Sequence, residues 1–253
     1  MENLNLTFQF TKKVKVVLTI LILIGFTALI YGILNYPPEK VWSALVINSI
    51  NFLTIGLGAT FFIAIHIITQ SGWHVSVQRI PEAISMYLPI GAILMILMLF
   101  GINHVYHWTH EVHHDPIIAN KEAYLNIPFF VSRLVIYLAV WTFLTFMLRK
   151  LSKKSDVGDG LNLYNKSKTY AALFLVFFAL SIVAFAWDWL MSVEAHWFST
   201  LFGWYVLAGV IVKSFAVIII VLAILRYLGY MDFVTTNKYL ARSWMLFVVT
   251  KSI

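Results

Sequence analysis

AISMYLPIGAILMILMLFGIN, the stretch from Ala83 to Asn103, contains no charged side chain. A helix needs about 20 mostly apolar residues to cross the hydrocarbon core of a bilayer, so this stretch reads as a transmembrane helix. The same criterion applied outward gives six spans: Val14–Leu34, Val41–Ile68, Ala83–Trp108, Ile127–Leu148, Tyr170–Met191 and Phe198–Leu225. Tyr170 to Trp187 is charge-free as well. Val41–Ile68 is longer than a bilayer requires, which predicts tilt or projection. The first span is too long for the core of a cleavable signal peptide, and another span follows it. A seventh segment, Tyr239–Val249, is too short to cross and carries Arg242. The expected fold class is all-α, a polytopic transmembrane helix bundle of six spans with an incomplete seventh segment.

Composition agrees. Of 253 residues, 61% are hydrophobic and 11% charged, against about 45–50% and about 25% in soluble domains. One soluble core could not hide that much apolar surface. This excludes a soluble enzyme, a disordered chain and a nucleic-acid binder. Cysteine is absent from the sequence. Disulfides, cysteine-ligated iron–sulfur clusters, covalently attached haem and a thiol nucleophile are therefore excluded. Redox work would need a non-covalent ligand such as a quinone, a histidine-ligated haem, or a cofactor on another subunit. Aromatic residues reach 16%, which suits two interfacial belts.

Lysine and arginine set the expected orientation. One side receives Lys12, Lys13, Lys15, Arg79, Arg149, Lys150, Lys153, Lys154, Lys166, Lys168, Arg226, Lys238 and Arg242; the other receives Lys40 and Lys121. The split predicts a cytoplasmic N-terminus and accounts for most of the net charge of +7. No internal repeat is visible. The expected organisation is a four-span bundle over 1–151, a cytoplasmic linker loop over 152–168, a two-span hairpin over 169–230 and the incomplete segment over 231–253.

Charged groups within spans cost about 2.5–3.5 kcal/mol each on insertion scales and mark function or pairing. Arg133 lies about six residues, or about 9 Å, into the fourth span. Asp188 lies at the same depth near the end of the fifth, between Trp187 and Trp189, and His104 near the end of the third. Glu194 and His196 follow in the next outer loop. Their common depth suggests a polar pocket with an Arg133–Asp188 ion pair and His104 close by. Lys213, near the middle of the sixth span, should face the interior, lose its proton or find a polar partner. Asn48 and Asn51 share one face of the second span, which suits interhelical hydrogen bonding. His66, His74, Arg79 and Glu82 cluster near the inner side, where His66 and Glu82 form a candidate proton entry.

Five of the eight histidines fall in NHVYHWTHEVHHD, Asn103 to Asp115. His110, His113 and His114 match one box of a membrane di-iron enzyme. That chemistry needs about eight converging imidazoles, and His66, His74 and His196 supply no second box. His66 and His104 lie at opposite depths and cannot hold one haem between them. No metal site is expected.

Four blocks carry a family resemblance. AWDWLMSVEAHWFSTLFGWYVLAG, Ala186 to Gly209, is the most specific; GWHVSVQRIPEA from Gly72, INHVYHWTH from Ile102 and YLNIPFF from Tyr124 add to it. Together they resemble the ActF-type membrane subunit of bacterial alternative complex III, a quinol:cytochrome c oxidoreductase, within the broader NrfD-like membrane anchors. The resemblance runs from the second span to about Tyr230. It implies a quinone-binding subunit with a proton path, no redox centre of its own and no catalysis alone. The implied partners are a multihaem cytochrome c, an iron–sulfur protein and a second NrfD-like subunit, besides membrane lipids. His104, Arg133, Asp188, Glu194 and His196 fall in the matched blocks and become the implied proton or quinone site, with Asp188 the first choice as proton carrier. Lys213 lies just past the strongest block. Family members continue beyond a sixth span, so the resemblance implies that this chain is C-terminally truncated. Two other readings use the same residues: a small transporter or proton channel along Asn48, Lys213 and Asp188, and a metalloenzyme on the histidine loop. The first lacks an inverted repeat and Gly/Pro-broken spans.

Overall fold

The computed structural model describes residues 11–110, 115–156 and 160–229. It is all-α over those residues, with six helical segments long and apolar enough to cross a membrane. The chain is a multi-pass membrane protein. The histidines 113 and 114, and the segment Tyr239–Val249 with its basic neighbours, lie outside the described residues.

Helix α1, Lys12–Asn35, starts on Thr11, whose hydroxyl accepts the Val14 amide. It buries none of its residues, and its main contact is with α2. Helix α2, Pro38–Ile68, begins with proline where no helical N–H is required. It is the central rod of the bundle: 72% of its most apolar window is buried, against 0% for α1. Gly56, Gly58, Ala59 and Ala64 give it a surface that neighbours can approach closely. A Cβ at Gly58 would stand 2.0 Å from the Ser214 hydroxyl.

The third span is interrupted. A 3₁₀ turn, Trp73–Ser76, leads into α3, Arg79–Ser85, and α4, Leu88–Leu97. A second 3₁₀ turn, Met98–Gly101, precedes α5, Ile102–Val105. Pro89 has no N–H to offer the Ser85 carbonyl four residues back, and its ring crowds that carbonyl; the break falls between the two, at Met86–Tyr87. At Gly101 the Trp42 ring lies 2.1 Å from where a Cβ would be. The expectation of spans unbroken by glycine and proline is therefore corrected here.

A 3₁₀ turn at His107–Thr109 and short α6, Pro116–Ala119, lead to α7, Ile127–Ser155. Asn126 caps α7 by accepting the Phe129 amide at 2.9 Å. Helix α8, Gly160–Trp189, pairs with α7 as a hairpin. A 3₁₀ turn, Met191–Val193, and α9, Phe202–Tyr227, complete the set. The expected loop over 152–168 is mostly helix, since α7 runs to Ser155 and α8 starts at Gly160. That stretch lacks proline, and its lysines are good helix formers that are readily solvated, so both helices extend into it. Helix α2 packs on α8 and α9 as well as α3 and α4. Spans five and six therefore share one core with spans two to four. The Thr60 and Thr145 hydroxyls hydrogen-bond between α2 and α7, and the Trp141 indole donates to Ser181 between α7 and α8.

A buried ion pair as candidate functional site

One end of the bundle is rich in buried rings and is termed the aromatic end; the other gathers most of the lysines and is termed the basic end. On α7, Phe130, Arg133, Leu134, Tyr137, Leu138 and Trp141 recur at helical spacing and turn inward. On α8, Ile182, Phe185, Asp188 and Trp189 do the same. Both charged residues thus ride on the apolar stripes that pack the two helices together, and they meet.

Arg133 donates from Nε to Asp188 Oδ2 and from Nη2 to Oδ1, each at 2.9 Å. The side chains are 8% and 1% exposed. This is the fork geometry of a charge-assisted bidentate pair. Arg133 Nη1 also donates to the Tyr124 carbonyl at 3.2 Å, and the guanidinium lies over the Tyr124 and Phe129 rings at 4.0 and 4.2 Å. Tyr137 donates to Asp188 Oδ2 at 3.5 Å, and the Tyr124 hydroxyl lies within the electrostatic reach of the same carboxylate. The Ser192 hydroxyl donates to the Asp188 carbonyl, and Tyr106 to the Trp189 carbonyl at 3.0 Å. Burial first, then the Asp188 charge, pushes the Tyr124 hydroxyl upward, so it remains protonated.

Beside this pair lies a cavity of about 340 Å³, lined among others by Tyr124, Trp187, Met191, Ser192 and Trp197. The Trp187 indole N–H is buried without a hydrogen-bond partner among the described residues, as are those of Trp108 and Trp189. A cavity of this size falls at the small end of sites for organic ligands. A ring of Tyr124 and Trp187, with Asp188 behind it, offers stacking surface and polar groups together.

The other expected members of this site go elsewhere. His104 is exposed and faces Glu39 at 4.0 Å instead of Asp188. Ile102, Val105 and Tyr106 take the inward face of that short helix and turn His104 out. Glu194 and His196 are exposed too: His196 Nε2 meets Asp115 Oδ2 at 2.5 Å and Nδ1 meets Glu194 at 3.3 Å. The hydrogen bond to Asp115 raises the His196 pKa, while the Ile117 amide and His196 lower that of Asp115. Lys213 binds Asn51 Oδ1 at 2.9 Å and Thr54 Oγ1 at 2.8 Å on α2. It is half-buried and stands apart from Asp188. Asn48 bonds only within its own helix, to the Ala44 carbonyl.

At the basic end His66 and Glu82 are both buried. His66 Nδ1 lies 2.7 Å from the Phe62 carbonyl, and its ring packs 4.6 Å from Trp73 and 5.2 Å from His74. Glu82 accepts from Gln78, Arg79 and Ser152. Burial holds the His74 pKa below its ordinary value, against the Ser71 carbonyl and the Glu82 charge. Sequence reasoning did not find Tyr124, Tyr137 or Ser152. Tyr137 stands one helical turn beyond Arg133 on the same face, a spacing that was readable; Ser152 belongs to a stretch read as loop. No protein-family model matches the chain, and no curated protein matches it.

Proposed function

We propose that the chain is an integral membrane subunit of a quinol-oxidising respiratory electron-transfer complex, with Arg133 and Asp188 in a quinone-headgroup and proton site. The buried, doubly bonded pair beside the cavity carries this reading. A buried ion pair is a poor stabiliser, because well-packed apolar residues commonly do as well or better. Its place in a membrane-spanning bundle is accounted for when the charges do chemical work. The resemblance of Ala186 to Gly209 to an alternative complex III subunit supplies the reaction class. In this reading the basic end and the N-terminus are cytoplasmic, and the membrane is a bacterial inner membrane. A multihaem cytochrome c, an iron–sulfur protein and a second membrane anchor are the partners.

Oxidising a quinol to a quinone releases two electrons and two protons. The electrons leave to centres on the partners. Asp188 receives one proton at Oδ while Arg133 fixes the carboxylate, and the second proton leaves to water through the cavity that Tyr124 lines. The hydrophobic wall of Trp187 and Met191 positions the ring.

The test is purification of the tagged chain from its native membrane, with subunit identification and quinol-dependent reduction of an acceptor. Co-purifying multihaem and iron–sulfur subunits are expected. Asp188→Asn should lower turnover by about a hundredfold in an assembled complex, the usual size of a lost proton-transfer group. Tyr124→Phe, which leaves the ion pair intact, should also slow it. Unchanged turnover in both variants removes the site. A chain that purifies alone and moves a solute across vesicles replaces the whole reading with the transporter.

A further inference from the structure

The break in the third span borders an open groove. A space of about 570 Å³ lies there between helices α4 and α7. Its walls are apolar: Leu88, Ile93 and Ile96 on one side, Val135 and Phe143 on the other. Thr145 and Ser85, which also line it, already hydrogen-bond to Thr60 and to the Glu82 carbonyl. The groove follows the ten residues of α4, about 15 Å at 1.5 Å per residue. That is the depth of one leaflet in a ~30 Å hydrocarbon core.

At its basic end the groove opens into a second cavity of about 660 Å³, and Met86 and Phe146 line both. Four cations, Arg149, Lys150, Lys153 and Lys154, line this second space on the last turns of α7. Among the described residues none of them forms an ion pair. The acidic neighbours Glu82 and Asp156 are both engaged by Arg79. Four positive charges with no ion-pair partner among the described residues therefore stand at the mouth of a leaflet-deep apolar channel.

We propose that this composite site holds one anionic phospholipid, with its phosphate among Arg149, Lys150, Lys153 and Lys154 and an acyl chain along Ile93 and Phe143. Basic pockets between spans are the recognised chemistry for such headgroups. The apolar channel selects a lipid over free phosphate, which has nothing to place there. A volume of 570 Å³ spread over about 15 Å leaves a cross-section of a few tens of Å², too narrow to seat a partner helix 10–12 Å across. The charge selects an anionic lipid over a zwitterionic one.

The protein is purified from its native membrane with whatever subunits accompany it, and bound lipid is counted by native mass spectrometry. One tightly held phosphatidylglycerol or cardiolipin per chain is expected. Exchange into nanodiscs of phosphatidylethanolamine with and without phosphatidylglycerol should show retention of the anionic lipid alone. Changing the four cations together to Gln should lower its retention about tenfold. Ala139→Trp, which fills the groove and leaves every charge in place, should lower retention as well. It serves as the independent arm if the quadruple variant does not insert. Equal lipid content in the variants, displacement by inorganic phosphate at millimolar concentration, or a polypeptide cross-linked at Phe143 in place of lipid would each overturn the proposal.

Discussion

Arg133 has its edge on the two Asp188 oxygens and its flat faces on Tyr124 and Phe129. Neither charge has another way to be compensated at that depth, so the two stand or fall together. Arg133→Met alone should cost about 3–5 kcal/mol by leaving a buried carboxylate unpaired. Arg133→Met combined with Asp188→Leu should recover most of that loss. Thermal unfolding in detergent measures both, and equal losses in single and double variants would count against a tightly coupled pair. Two histidines respond to acid in opposite directions. His196 has a raised pKa, so its tie to Asp115 is fully present below 6.5 and is lost as pH rises through the elevated value. Asp115 has a lowered pKa, so the same tie persists down to below 3.8. His74 has a lowered pKa. Below 6.5 the unfolded chain takes up a proton that folded His74 resists, and stability around it falls. Amide protection, with the intrinsic pH dependence of exchange divided out, should therefore be greater at pH 5.5 than at pH 7.5 in the 190–200 loop and smaller in the 71–77 turn.

At the scale of the elements, close approach between helices depends on where side chains are missing. Helices α2 and α9 touch at Gly58, where a Cβ would meet both the Ser214 side chain and the Val210 carbonyl. Gly58→Ala should cost about 1–3 kcal/mol, since a backbone atom cannot step aside. Gly25 in α1 has open space around it. Gly25→Ala should be neutral or stabilise by up to about 1 kcal/mol through helix propensity. Unfolding of the two variants side by side checks the contrast. The broken third span shows the limit of reading elements from sequence. Its hydropathy is continuous from Ala83 to Asn103, so a window of composition sees one helix. Pro89 was a visible warning, but Trp42 packed against Gly101 comes from another span and was not.

Over the whole molecule, the number of spans, their order and the crowding of lysines at one end follow from composition alone. Water and hydrocarbon differ so much as solvents that about 20 apolar residues identify a span. Sequence also put Arg133 and Asp188 at one depth, because depth along a helix is counted in residues. It could not give rotation about each helix axis. Lipid-facing and core-facing surfaces of a membrane helix are both apolar, so no polar stripe marks the outside. Tertiary packing decided that Tyr106 turns inward and His104 outward, that Lys213 answers to Asn51 and Thr54, and that His196 binds Asp115 away from the buried pair. It also opened the groove between α4 and α7, whose two walls lie far apart in the sequence.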